Sequence, residues 1–280
     1  MKRKVRKYIC SAILILLIIW IVWGNVTVGV THYTVASPRL PAALDHFKIA
    51  IISDLHNARF GQDNRSLIAL IEREAPDMIA ITGDLIDSGK TDIETAEKLV
   101  QRLVEIAPCY YVTGNHEAWI GERYQELEGK LLDAGAVILR DRAELLTKNN
   151  GTVQIIGLDD SDFPDGGPAF QDSIRNARSG AGDPAADYCI LLAHRPENFS
   201  AYVAGDIDLV LSGHAHGGQF RLPFIGGLIA PGQGLFPKYD AGEYTEGNTT
   251  MIVSRGIGNS VVPVRFNNRP EIVIVELISE

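Results

Sequence analysis

An α/β fold built around parallel strands is what this sequence of 280 residues predicts, on three observations. Short β-branched runs recur about every thirty residues, the length of one βαβ unit. Stretches with apolar residues at helical spacing separate them. Each run closes on a small residue followed by polar side chains: Ile49-Ala50-Ile51-Ile52-Ser53-Asp54-Leu55-His56, Ile79-Ala80-Ile81-Thr82-Gly83-Asp84-Leu85-Ile86-Asp87 and Tyr110-Tyr111-Val112-Thr113-Gly114-Asn115-His116-Glu117. Runs of this kind are buried on both faces of a sheet, and such sheets carry their chemistry just beyond the strands' carboxyl ends.

The chain opens with Lys2, Arg3, Lys4, Arg6 and Lys7, followed by an uncharged run from Ile9 to Trp23 that continues without charge to Val30. About twenty such residues cross a bilayer core. The basic cluster precedes the span and only Arg39 and Lys48 follow closely, so the positive-inside bias puts the N-terminus in the cytoplasm and the main domain outside. Residues 1–30 are therefore expected to be a basic tip and transmembrane signal anchor in the cell membrane. The alternative is secretion after signal cleavage, because Val35-Ala36-Ser37 resembles a processing site; against it, the apolar stretch exceeds the usual length of a signal core. Residues 31–46, with Pro38 and Pro41, read as a tether reaching at most about 50 Å, and 47–280 as one domain.

Within that domain a first strand is expected at 47–53 and a helix at 65–74, with Leu67, Ile68, Leu70 and Ile71 inward and Pro76 as its stop. The strand ending at Asp84 follows. Thr91 or Asp92 can cap a helix over 93–106 whose apolar positions Ile93, Ala96, Leu99, Val100 and Leu103 keep helical spacing. After Pro108 come a strand at 109–113 and a helix at 121–134. This β-α-β-α-β-α order predicts parallel strands joined by right-handed crossovers. Short strands then follow at 136–139, 143–148 and 152–158, the last two joined by the turn signal Asn149-Asn150-Gly151. Residues 159–187 read as an irregular connection with helical turns near 170–177. Two more strand-to-tip units, 188–194 and 207–216, lead into a glycine-rich stretch at 220–248 and closing strands at 249–255 and 271–277.

With 46% hydrophobic residues the chain can bury a full core. A net charge of −9 excludes a broad basic surface for nucleic acid, so a phosphate-bearing ligand would need local positive charge such as metal ions. Cys10, Cys109 and Cys189 read as small hydrophobes rather than a disulfide pair.

The strand tips collect Asp54, His56, Asp84, Asn115, His116, His194, His214 and His216, including five of the seven histidines. Singly, an Asp after a strand is a turn residue and a lone His is structural. Together at successive strand ends they point to a metal centre. Carboxylate and imidazole without thiolate suit manganese, iron or zinc rather than calcium. Eight groups exceed what one ion needs. Two ions about 3.5–4 Å apart, bridged by a carboxylate, can activate a shared hydroxide and clamp both oxygens of a phosphoryl displacement.

Asp54-Leu-His56, Gly83-Asp84-Leu-Ile-Asp87, Gly114-Asn115-His116-Glu117, the separate His194 and Gly213-His214-Ala-His216 resemble, in order, the five blocks of the calcineurin-like metallophosphoesterases. The likeness covers about 47–277. Gly217-Gly218-Gln219 and the tail from Ser254-Arg255-Gly256 to Arg269-Pro270-Glu271 resemble the membrane-associated bacterial branch of YkuE-, YaeI- and LpxG-like proteins. The resemblance implies a four-layer αββα sandwich of two mixed sheets flanked by helices, with a dinuclear centre where the tips meet. It implies that Asp54, His56 and His216 hold one ion, that Asn115, His194 and His214 hold the other, and that Asp84 bridges them. His116 would orient or protonate the leaving oxygen, and Asp87 and Glu117 would support through hydrogen bonds. Ala215 departs from the pattern, where many relatives carry Thr.

Arg255 is a candidate phosphate contact, with a surface ion pair as the plain alternative. Apolar residues among 220–236, such as Phe224 and Phe236, could rim the site for a lipid-linked phosphoester, or pack the loop on itself. The expected activity is hydrolysis of a phosphodiester, phosphomonoester or pyrophosphate linkage by hydroxide bridging two ions, on a small-molecule or lipid substrate and not on nucleic acid. The alternatives are a non-catalytic metal-dependent binding module at the envelope and, among enzymes, a protein phosphatase.

Overall fold

The computed structural model describes residues 2–163, 170–180, 186–259 and 261–280, so part of the expected irregular connection lies outside them. Two six-stranded mixed sheets pack face to face between layers of helix. The strands of the first half are β1 (Gly29–Ser37), β2 (Phe47–Ile52), β3 (Met78–Thr82), β4 (Cys109–Val112) and β5 (Val137–Ile138). In the first sheet β2, β3, β4 and β5 run parallel in that order, and the C-terminal strand Glu271–Ser279 lies antiparallel to β2. The second sheet contains β6 (Arg142–Lys148), β7 (Gly151–Gly157), β8 (Cys189–Leu192) and β9 (Leu209–Ser212). There β7, β8, β9 and Thr249–Val253 are parallel, with β6 and Gly242–Glu246 as antiparallel edges.

Period-two alternation explains why these strands read as unbroken apolar runs. Ile49 and Ile51 of β2, Ala80 of β3, Ile190 and Leu192 of β8, and Leu209 and Leu211 of β9 meet between the sheets. Ala50, Ile52, Ile79 and Ile81 face the other way, under α2 (Arg65–Glu74) and α3 (Ile93–Leu103). Cys109 sits in that outer cluster and Cys189 in the cluster behind the second sheet. The two thiols thus occupy opposite outer faces, too far apart for a disulfide. Asp92 caps α3, accepting from Thr95 N at 3.1 Å.

One expectation about local structure is extended and one is corrected. The helix at 121–134 is α5 (Arg123–Asp133), and before it a short helix, α4 (Asn115–Trp119), begins at the strand tip itself. The tether at 31–46 is mostly not one. Gly29–Ser37 forms β1, parallel to Glu271–Ser279 along its whole length, with Val35 buried in the inter-sheet core. Exposure alternates along residues 31–36, with His32, Thr34 and Ala36 outward, a half-buried edge strand that the prolines following it disguised. The N-terminal α1 (Lys2–Val26) is long and apolar enough to cross a membrane and runs almost directly into β1.

A practical prediction follows for fragments. A chain beginning at residue 47, the boundary expected from sequence, should expose the edge of the C-terminal strand and aggregate, whereas one beginning at residue 28 should stay monomeric. Equal melting temperatures and monodisperse elution for both would show that β1 contributes nothing.

Candidate metal centre

Five strands from the two sheets end at one place. β2, β3 and β4 deliver Asp54 and His56, Asp84, and Asn115 with His116; β8 and β9 deliver His194, and His214 with His216. All eight side chains are buried. The backbone turns tightly there: Asp54 (φ 53°), His56 (φ 45°), Asp84 (φ 53°), His214 (φ 64°) and His216 (φ 48°) are all left-handed. Non-glycine residues in that region cost about 1–3 kcal/mol each and persist where the surroundings force them, typically at functional sites.

Hydrogen bonds fix the carboxylates. Asp54 accepts from Ser53 Oγ at 2.5 Å and from the His214 backbone N–H at 3.1 Å. Asp84 Oδ1 accepts from the His116 backbone N–H at 2.9 Å, which leaves Oδ2 to face His56 Nε2 at 3.6 Å and His194 Nε2 at 3.4 Å. His216 Nε2 lies 3.4 Å from Asp54 Oδ1 and 3.1 Å from His56 Nε2. On the other side His194 Nε2 is 3.2 Å from Asn115 Oδ1 and 3.0 Å from His214 Nδ1. His194 Nδ1 donates to Thr82 O at 2.7 Å, an arrangement that turns Nε2 inward toward Asp84, Asn115 and His214.

Among the described residues two donor sets share Asp84, Asp54–His56–Asp84–His216 and Asp84–His194–His214, each with ligand atoms within 4.8 Å of one another; a third, His56–Asp87–His116, lies beside the first. Burial pushes the His56 and His216 rings down to about 3, so each offers a lone pair at neutral pH. Burial alone would raise Asp84, yet the adjacent His194 overrides it and holds the carboxylate well below its usual range. Burial would lower the His194 ring, yet Asp84 beside it holds that ring up at about 10, a proton that a bound cation would displace. Carboxylate oxygens and imidazoles converging in one buried place can hold a pair of divalent cations.

Glu117 accepts from the backbone N–H groups of Asp84, Leu85 and Gly114, each at 2.8 Å, and so locks two strand tips together. Asp87 Oδ1 accepts from Gly89 N at 2.9 Å and Lys90 N at 3.0 Å, while Oδ2 stands 4.0 Å from His56 Nδ1. His116 accepts at Nδ1 from Ser88 N at 3.0 Å and lines a cavity of about 630 Å³ above the donor sets. Ala215 is buried in the apolar cluster behind the second sheet.

Arg255 is not brought to this cavity. Its guanidinium pairs with buried Glu271 at 2.6 Å and lines a separate groove against α1. The arginine that does line the cavity is Arg195, next to His194 in the chain and held by Asp160 through two bonds of 2.8 Å. Arg265, fully buried, reaches to 3.3 Å from His216 Nδ1. Adjacency to His194 could have flagged Arg195; nothing local marks Arg265.

Packing at the tips leaves no spare volume. A Cβ on Gly213 would overlap Ser53 Oγ and Asp54 Oδ2. Gly213→Ala should therefore destabilise the chain by about 2–3 kcal/mol and weaken metal retention, read from denaturation midpoints with and without chelator. An unchanged midpoint would mean that the loops yield freely.

A family model described as calcineurin-like phosphoesterase matches residues 47–218. Metallophosphoesterase YkuE of Bacillus subtilis is 31% identical, over 89% of this chain and 85% of its own. Phosphodiesterase YaeI of Escherichia coli is 30% identical over 83% and 82%, and a metallophosphoesterase of Aquifex aeolicus 33% over 89% and 91%.

Proposed function

Because this chain belongs to the calcineurin-like phosphoesterase family, we propose that it is a two-metal hydrolase of phosphoesters, held at a membrane by α1. The observation that carries this reading is Asp84 Oδ2, which faces a histidine of each donor set. Asp54, His56 and His216 are assigned to one ion, Asn115, His194 and His214 to the other, and Asp84 to both. When bound, such ions lower the pKa of a coordinated water and neutralise charge on phosphoryl oxygens. The chain's own residues do the rest. Glu117 keeps the tips in register, and Asp87 supports the His56 side.

His116 is assigned to the leaving oxygen. With Nδ1 accepting from Ser88, a neutral ring carries its proton on Nε2, where it can be given to a departing alkoxide. The apolar outer wall of the cavity, including Trp119, Ile229 and Val262, suits an ester with an apolar alcohol portion. A diester reading draws support from the name of the relative from Escherichia coli. Retention of α1 is favoured over cleavage near Ser37, which would strip β1 from its sheet.

The test is direct. Metal-stripped full-length protein, reloaded separately with manganese, iron or zinc, is assayed on mono-, di- and pyrophosphate esters. Metal-dependent hydrolysis of at least one class is expected. Two bound ions with no turnover on any would leave the binding-module alternative standing.

A further inference from the structure

We infer that the two loops beside the cavity mouth, 219–239 and 254–270, form a second membrane contact that seats the opening of the site against the bilayer. The inference rests on the phosphoesterase reading and gives it a substrate class, a phosphoester carried by a lipid. Both loops lie outside the stretch matched by the family model.

The first observation is how α1 joins the domain. Asn25 accepts from the Arg265 backbone N–H at 2.7 Å and donates to its carbonyl at 2.9 Å. Trp20 meets Phe266 edge-on at 5.4 Å, and the Arg269 guanidinium covers Trp23 at 4.5 Å. The loop therefore lies alongside the last two turns of the helix, not beyond its end. The uncharged part of the helix, residues 8–26, measures about 28 Å, no more than the hydrocarbon thickness it must cross. Trp20 stands about 9 Å short of the helix end, so what touches it lies at or below the membrane surface and not out in water.

The second observation is what the loops expose. Phe224 and Val261 are fully or almost fully exposed, at 109% and 89%, and Leu235 and Phe236 at 71% and 62%. These tips are tied to the helix contact: Phe220 bridges to Phe266, and Arg221 N donates to Phe266 O at 2.9 Å. Large apolar side chains left in water beside a membrane helix mark a surface that lipid covers.

Charge agrees at two side chains. Lys238 is exposed and Arg269 lies over Trp23, whereas Arg221 is paired with Asp240, Arg255 with Glu271, and Arg265 is fully buried, so Lys238 and Arg269 are the cations of these loops left to face anionic head groups. The same loops wall the site, because Val261 and Val262 line the cavity and Gln219 Nε2 donates to Val262 O at 2.9 Å and Val264 O at 2.8 Å. Arg265 is three positions after Val262, at most about 11 Å of chain between cavity wall and helix clasp.

The test uses the full-length chain in vesicles of phosphatidylcholine and phosphatidylglycerol, in a Cys10→Ser background. A polarity-sensitive fluorophore is attached at Phe224→Cys, at Phe236→Cys, or at Asn150→Cys in the β6–β7 turn at the opposite end of the strands. Labels at 224 and 236 should shift to the blue and be quenched at least about twofold by nitroxide lipids, with the label at 150 unchanged. Labels at 224 and 236 that behave like the one at 150 overturn the inference. In the same vesicles, Phe224→Asp with Phe236→Asp should slow hydrolysis of a dialkylglycerol phosphoester about tenfold and that of soluble bis(p-nitrophenyl) phosphate less than about twofold. Equal effects on both esters count against it. A protein inert on both esters counts against the phosphoesterase reading instead, and the labels alone then decide the membrane contact.

Discussion

Asp84→Ala is expected to lower kcat/KM by about 10³-fold or more and to leave at most one tightly held ion per chain. The carboxylate divides its labour. Oδ1 is anchored by the His116 backbone N–H, and Oδ2 is turned toward His56 of one donor set and His194 of the other. Losing it removes the one group common to both sets and the negative charge that lets two cations approach. The fold should survive, because the bonds from residues 84 and 85 to Glu117 are made by backbone N–H groups that alanine also supplies. Asp84→Asn, which keeps an oxygen but not the charge, should fall between the two. Metal content by elemental analysis, beside kinetics, decides the matter: a folded Asp84→Ala protein retaining two ions and a tenth of its turnover would remove the shared-ligand assignment.

The metal centre was legible because its parts are local. A strand that stops at a small residue and hands over to Asp, Asn or His announces itself within eight residues, and five such signals coincide. Close approach of neighbouring chains explains the glycines beside Asp84, His214 and His216: a Cβ on Gly83, Gly213 or Gly217 would overlap atoms of another tip or loop. What escaped was non-local. β1 is a strand only because Glu271–Ser279 offers it an edge some 240 residues later, and a polar, proline-flanked segment gives no sign of that pairing. Arg255 follows a strand as a phosphate ligand would, yet the pairing partner Glu271 on the neighbouring strand claims it. Arg265 reaches His216 through a loop whose path is set by the helix clasp at Asn25, a tertiary fact without a sequence signature.

His116→Ala should lower kcat by about 10²–10⁴-fold on alkyl esters while leaving KM and metal content close to those of the parent. The expectation rests on orientation. Ser88 N donates to Nδ1 at 3.0 Å, and the ring is flanked by His56 at 4.5 Å and Trp119 at 4.8 Å between centroids, so it cannot swing out of the cavity cheaply. A competing role exists, since His116 also forms a third set of possible donors with His56 and Asp87. The two roles separate cleanly. A proton donor matters most when the leaving group is a poor one, so the loss should shrink sharply on nitrophenyl esters, whose phenolate departs without help. A ligand would instead cost all substrates alike and release metal. Retained metal with a leaving-group-dependent loss makes His116 the acid; depleted metal with a uniform loss makes it part of the cation site, and the proton must then come from solvent.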